Sequence, residues 1–148
     1  MMASISAYLE DQHKQCDSYF YAAEEAVSAG NWDEAGKKLS SFITGIERHF
    51  DNEEQVLFPD FEHVSGQTMG PTQVMRLEHD QMRELFDSLR QALLHKDMEQ
   101  FLGDTETLMV LMQQHNAKEE QILYPLSDQV LMGQREDVIE RMRPLESS

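Results

Sequence analysis

The sequence has little cysteine, little proline, few basic residues and no long apolar run. Its single cysteine, Cys16, cannot form an internal disulfide, and nothing else suggests an oxidising compartment. Nowhere do about 18 apolar residues follow one another, and the N-terminus has no basic start followed by an apolar stretch. We therefore expect a cytoplasmic protein that does not act at a membrane.

Basic residues are outnumbered more than two to one by acidic ones. The chain has 12 Lys and Arg against 28 Asp and Glu, which gives a net charge of −16. The acids are scattered through the sequence, so they predict a solvated acidic surface that repels nucleic acid and anionic lipid. We expect neither as a partner, and the sequence leaves the oligomeric state open, a homodimer included.

The composition favours helix throughout. Only four prolines and seven glycines occur in 148 residues, among many Ala, Leu, Met, Glu and Gln. Four segments carry apolar residues at three- and four-residue steps, separated by breaks at SAGNWD (28–33), Pro59 to Pro71, and HKDM (95–98). This pattern predicts an all-α, up-down-up-down four-helix bundle, with the second helix ending at Pro59 and the fourth near Pro125. A short helix is expected at about 136–142.

The chain repeats itself at an offset of 66 residues, without a gap. The segments ERHFDNEEQVLFP (47–59) and QQHNAKEEQILYP (113–125) align in this register. We predict one domain, 1–148, made of two helical hairpins at about 5–59 and 71–125 and a C-terminal tail at 126–148. The offset pairs six polar residues of the four helices: His13 with His79, His49 with His115, and Glu53 with Glu119.

The repeated histidines lie in or beside the apolar stripes, so they should point into the bundle. Glu53 and Glu119 follow His49 and His115 by four residues, which places each carboxylate on the same helix face one turn further on. Packing alone accounts for any single histidine of this kind. It does not account for four histidines and two glutamates at one offset, because a buried ionised carboxylate costs several kcal/mol unless it is compensated.

A bound cation is the expected compensation. Arg48 and Lys118 point around the helix from the His–Glu rows and are poor partners for Glu53 and Glu119. Imidazole and carboxylate without thiolate favour iron or manganese over a structural zinc. The six residues would suit one mononuclear site less well than two ions, each held by the two histidines of one hairpin and bridged by both glutamates. Each ion would then keep open positions for a bridging oxo or hydroxo group and a small ligand.

Other polar residues near the repeat are assigned roles outside ligation. His63, in the predicted loop, and His95, near a helix C-terminus, fall outside the repeat. Glu54 and Glu120 do repeat, but one residue further round the helix, and are expected to be solvated or hydrogen-bonded behind the ligands. Cys16 is expected to be a small core residue.

Two further hypotheses concern acidic residues near the histidines. Glu78 and Asp80 stand on either side of His79 and are candidate hydrogen-bond acceptors behind the metal ligands. Glu10 precedes His13 at the Glu-x-x-His spacing of ferritin-like di-iron bundles. The second copy has Arg76 where that spacing requires a glutamate, which argues against a ferritin-like site.

With these residues in place, the pattern H…HxxxE…H…HxxxE on four helices resembles the haemerythrin-like (HHE cation-binding) domain family. The resemblance covers about residues 5–126 and includes GPTQVMRLEH (70–79), which is similar to the family's entry into its third helix. It implies a four-helix bundle around a non-haem, carboxylate-bridged di-iron centre. Two iron ions are the implied cofactor, with manganese or zinc as substitutes.

The resemblance implies binding of O2, NO or peroxide, in oxygen or nitrosative stress or in the handling of iron centres. Oxygen carriers of the family have a second histidine one turn before the one at His79, where this chain has Met75, which lines the ligand pocket or fills the core. The four-histidine, two-glutamate set is more similar to the family's iron-centre repair proteins. Alternatives are a non-catalytic iron or oxygen sensor or iron store, and a structural bundle whose ligand set is vestigial.

Overall fold

A computed structural model describes residues 4–146 of the chain, with side chains described as far as Arg143. It confirms the all-α prediction, since the described residues contain helices and no strand. The helices are α1 (Ile5–Ser28), α2 (Trp32–Asn52), α3 (Phe58–Ser65), α4 (Pro71–Leu94), α5 (Met98–Lys118), α6 (Tyr124–Val130) and α7 (Arg135–Glu146). None of the helices in this part of the chain has the length and apolar character needed to cross a membrane.

Polar caps precede three of the four bundle helices, and α4 begins instead at Pro71. Ser4, Asn31 and Asp97 precede α1, α2 and α5, and each side chain accepts a backbone N–H of the first turn. Helix α1 packs along α2 and α4 along α5, so the two predicted hairpins are formed, and contacts of α1 with α5 and of α2 with α4 join them. The predicted helix at about 136–142 is present within α7.

The prediction that Pro59 and Pro125 end their helices is wrong. Each proline follows a five-residue π-helical turn, Glu53–Leu57 or Glu119–Leu123, and stands in the first turn of the next helix. Proline is tolerated there because the N–H groups of a first turn need no partner within the helix. The helical path therefore continues to Ser65 and to Val130. In the first copy the helix stops at Gly66. The φ of Gly66 is 74°, in the left-handed region that glycine adopts without strain.

Two apolar clusters lie on either side of a polar layer. One cluster lies toward the hairpin turns and includes the buried rings of Phe20, Phe42 and Phe86. The other lies toward the chain termini, where α7 buries Val138 and Ile139 among residues of the other helices. Each fully buried apolar side chain contributes about 1.5–3 kcal/mol, so the two clusters hold the polar layer between them in a fixed frame.

Candidate metal centre

The structure brings all six predicted ligands into the polar layer between the two apolar clusters. Each of the four long helices contributes to it, and no ligand side chain is more than 3% exposed. Burying this many ionisable groups without metal requires close internal pairing, because an isolated charge in such a place is strongly disfavoured. The six residues are His13 on α1, His49 on α2 and Glu53 after it, His79 on α4, and His115 on α5 with Glu119 after it.

The histidine rings pair within the hairpins. The ring centroids of His13 and His49 are 4.6 Å apart, and those of His79 and His115 are 5.0 Å apart. Each pair therefore presents two imidazole nitrogens to one small volume of the site.

The two carboxylates reach across both hairpins. Glu53 Oε1 lies 3.0 Å from His79 Nε2 and 3.5 Å from His49 Nε2. Glu119 Oε1 lies 3.1 Å from His13 Nε2 and 3.3 Å from His115 Nε2. Each glutamate thus stands between a histidine of the first hairpin and one of the second. Donor atoms within 4.8 Å of one another form two overlapping groups, His13–His49–Glu119 and Glu53–His79–His115–Glu119.

Several buried atoms of the site that could bind a metal make no hydrogen bond, because the short imidazole–carboxylate distances around them do not have the angles of a hydrogen bond. They are Glu53 Oε1, Glu119 Oε2, and the Nε2 atoms of His79 and His115. A buried unsatisfied polar atom costs about 1–3 kcal/mol, and a bound cation would satisfy all four. These imidazole and carboxylate donors fit a divalent metal ion, and no thiolate belongs to either group of the described residues.

The outer nitrogen of each histidine is held by an acidic or amide side chain. Such contacts fix the ring orientation and leave Nε2 free to face a metal. Glu78, predicted as such an acceptor, holds His115 on another helix, whereas Asp80, the other predicted acceptor, is exposed and pairs with Arg83. The Nδ1 contacts are His13 with Glu120 at 2.7 Å, His79 with Glu54 at 2.7 Å, His115 with Glu78 at 2.8 Å, and His49 with Gln12 at 2.7 Å.

The pKa values show how protons compensate the metal-free site. Burial disfavours charge on His13 and His115, but the adjacent carboxylate of Glu119 outweighs it and raises each pKa to about 9. Burial lowers the pKa of His49 to about 4 and, together with the nearby charge of Glu119, raises the pKa of Glu53 to about 7. The pKa of Glu119 itself lies well below its usual range because the positive histidines outweigh burial. Metal and protons therefore compete for the same atoms.

Tyr124 is a residue of the site that the sequence prediction missed. Its fully buried hydroxyl lies 2.8 Å from Glu53 Oε2 and 2.9 Å from Glu119 Oε1, so it can donate to either carboxylate. Burial and the two carboxylates raise its pKa well above the usual value, which keeps the phenol protonated. The counterpart in the first copy is Phe58, and this difference within the aligned segments was the available signal.

Removing the Tyr124 hydroxyl is expected to destabilise the metal-free protein. In Tyr124→Phe the two buried carboxylates lose the one O–H donor that they share, and a hydrogen bond to a charged group contributes about 1.5–3 kcal/mol. Urea unfolding of the metal-free protein measures the loss. Tyr21→Phe, at a half-exposed tyrosine, is the control and should change little. Equal stability of Tyr124→Phe and the unchanged protein would contradict the contact.

The remaining candidates lie outside the two donor groups of the described residues. His95 donates from Nδ1 to the carbonyl oxygen of Gln91 at the end of α4, over 2.9 Å. Cys16 is buried in the apolar cluster, and burial raises the pKa of its thiol to about 12. Met75 is buried in the other cluster, so its contacts there are those of a core residue. His63 and Glu10 belong to neither donor group.

Comparison with known proteins agrees with this geometry. The family model described as "Hemerythrin HHE cation binding domain" matches residues 4–127, which is nearly the whole chain and includes all six predicted ligands. No curated protein and no solved structure matches the chain.

Proposed function

The chain belongs to the hemerythrin HHE cation binding domain family, and we propose that it is a non-haem di-iron protein that binds O2, NO or peroxide. Family membership and the buried histidine and glutamate side chains make it a protein that binds metal cations. The iron, the pair of ions and the small ligand are the proposal. Oxygen or nitrosative stress, or the handling of iron centres, is the proposed context.

The observation that carries the proposal is the position of the two carboxylates. Glu53 and Glu119 each lie within 3.5 Å of one histidine from either hairpin. In the proposed centre His13 and His49 hold one ion, and His79 and His115 hold the other. The two glutamates would bridge them, since each already contacts both histidine pairs.

Imidazole and carboxylate ligands suit iron, and six side chains shared by two ions leave positions for a small ligand. Bound iron would supply reversible one-electron chemistry and affinity for O2, NO or peroxide. The protein's own side chains do the remaining work. The phenyl ring of Phe50 stacks on the His79 imidazole at 3.8 Å and excludes water from that side. Tyr124 Oη holds a proton in the centre of the site, within reach of both carboxylates.

A non-catalytic alternative is an iron or oxygen sensor, or an iron store, in which metal acts through the fold. It is favoured by the depth of the buried charges, because removing the cation should loosen the bundle around them. Turnover of peroxide or NO by the iron-loaded protein would separate the first proposal from this alternative.

The test is metal analysis followed by anaerobic titration of the reduced, iron-loaded protein with NO and with O2, recorded optically. We expect about two irons per chain and ligand-dependent absorption in the near ultraviolet and visible. His49→Ala should lose iron, whereas His95→Ala, at a histidine outside the site, should not. Fewer than about two irons, or spectra unchanged by either gas, would contradict the di-iron proposal.

A further inference from the structure

The two halves of the internal repeat differ in the side chains that cover their histidines. Beside His79, on the face between α2 and α4, the ring of Phe50 stacks on the imidazole at 3.8 Å, and the Arg83 guanidinium lies 5.1 Å above that ring. Arg83 also pairs with Glu54 at 3.0 Å and Glu47 at 2.9 Å. An aromatic ring and a fixed cation therefore cover this face.

The equivalent face, between α1 and α5 beside His13, has none of these covering groups. At the offset of 66, Asp17 stands in place of Arg83, Asn116 in place of Phe50, and Gln113 in place of Glu47. The replacements are smaller, uncharged or of opposite charge. A cavity of about 280 Å³, open to solvent, lies here and is lined in part by these three residues.

One residue of this cavity contacts the buried site directly. Glu120 lines the cavity, and its side chain is 38% exposed. Its Oε2 lies 2.7 Å from Nδ1 of His13, a side chain that is only 3% exposed. Its counterpart Glu54 makes the same contact with His79 but is held from outside by Arg83. Among the described residues no ion pair of Glu120 with Lys or Arg is found, so its carboxylate is held by the His13 ring and by no cation on the solvent side.

The two faces differ in what their carboxylates offer a metal ion. Asp17 and Glu120 line the cavity and no Lys or Arg of the described residues does, so their carboxylates can attract a divalent cation. On the other face the guanidinium of Arg83 already pairs with the carboxylates of Glu47 and Glu54. The apolar ring of Phe50 also offers a hydrated ion no ligand on the side of His79 that it covers, and dehydration without replacement ligands is costly.

We propose that metal cations enter and leave the centre across the α1–α5 face, past Asp17 and Glu120, and that Arg83 and Phe50 close the α2–α4 face to them. The inference rests on the metal centre proposed above. It assigns Asp17 to metal transit and gives Glu120 a second role beside its contact with His13, so a change at Asp17 alters the rate of exchange and not the final metal content.

The experiment measures iron(II) release from the loaded protein to a colorimetric chelator, under anaerobic conditions and at low salt. Asp17→Arg copies the charge of Arg83 and should slow release, and reloading of the stripped protein, about tenfold. Glu25→Arg makes the same change in net charge two turns further along α1 and should leave both rates unchanged. Added salt should narrow the difference between Asp17→Arg and the unchanged protein, because exposed charges are screened.

A second variant tests the closed face. Arg83→Asp removes its cation and should release iron as fast as the unchanged protein or faster. Equal rates for Asp17→Arg and the unchanged protein, or slowing by Arg83→Asp, would overturn the proposed route. Iron content below two per chain would instead contradict the di-iron proposal. The release rates would still decide the route, since they are read from whatever iron leaves.

Discussion

Glu119→Gln is expected to lose most of its bound metal while remaining helical. Glu119 is the one residue common to both donor groups, and its carboxylate lies between His13 and His115 of different hairpins. Glutamine keeps the volume and one acceptor oxygen but removes the negative charge and the second equivalent oxygen. Loss of a partner that only orients a ligand costs about 10–100-fold in metal affinity, and loss of a shared ligand should cost more.

Metal analysis after gel filtration measures this effect, with circular dichroism to record helicity. The bundle is held by two apolar clusters that the substitution does not touch, so helicity should be largely kept. Glu53→Gln should act in the same direction. Glu106→Gln, at an exposed glutamate of α5, is a control that removes one charge elsewhere. Unaltered metal content in both Glu119→Gln and Glu53→Gln would refute the bridging role of the carboxylates.

The bundle and the polar layer could be predicted because both follow from periodicity. A stripe at helical spacing places a residue on the inner face, and the offset of 66 shows which inward polar residues occur twice. The family match over residues 4–127 agrees with that prediction. The continuation past Pro59 and Pro125 could not be predicted in this way. A π-helical turn shifts a few hydrogen bonds by one residue, and the residue types in EEQVL and EEQIL carry no sign of that shift.

The sequence also could not predict which side chains of different helices contact one another. Glu78 is predicted as an acceptor behind the ligands, but the sequence does not name its partner. Adjacent side chains of a helix point about 100° apart, so Glu78 faces away from His79 and contacts His115 on another helix. Tyr124 was missed for a related reason. Its position beyond Glu119 was taken as the end of a helix, whereas the π turn carries its hydroxyl into the site. The sequence predicted which residues lie on the inner helix faces. Their contact partners on other helices follow only from the three-dimensional structure.

Removing the metal should destabilise the protein, and by more at pH 9.5 than at pH 7. At pH 7 the protons on His13 and His115 substitute for the lost cations beside Glu119. Their pKa values are raised to about 9 in the folded state, against about 6.5 for an unfolded histidine. Their stabilisation is therefore complete below about pH 6.5 and is lost as the pH rises through 9. Glu53, whose pKa is raised to about 7, acts in the same direction because it ionises as the pH rises.

Urea unfolding in the presence of a chelator, at pH 7 and at pH 9.5, measures this loss, which should amount to a few kcal/mol. The loaded protein should change less between these pH values, because a metal ion takes the place of the titrating proton at Nε2 of each histidine. At a free metal concentration a thousand times its dissociation constant, metal adds about 4 kcal/mol to the stability.

A histidine variant assigns the effect to the site. The metal-free His115→Gln protein should show a smaller decline between pH 7 and pH 9.5, because it has lost one of the two protons that compensate Glu119. His63→Gln, at an exposed histidine of α3, should decline as the unchanged protein does. Stability of the metal-free protein that stays level or rises over this interval would mean that the buried carboxylates are compensated by something other than protons on these histidines.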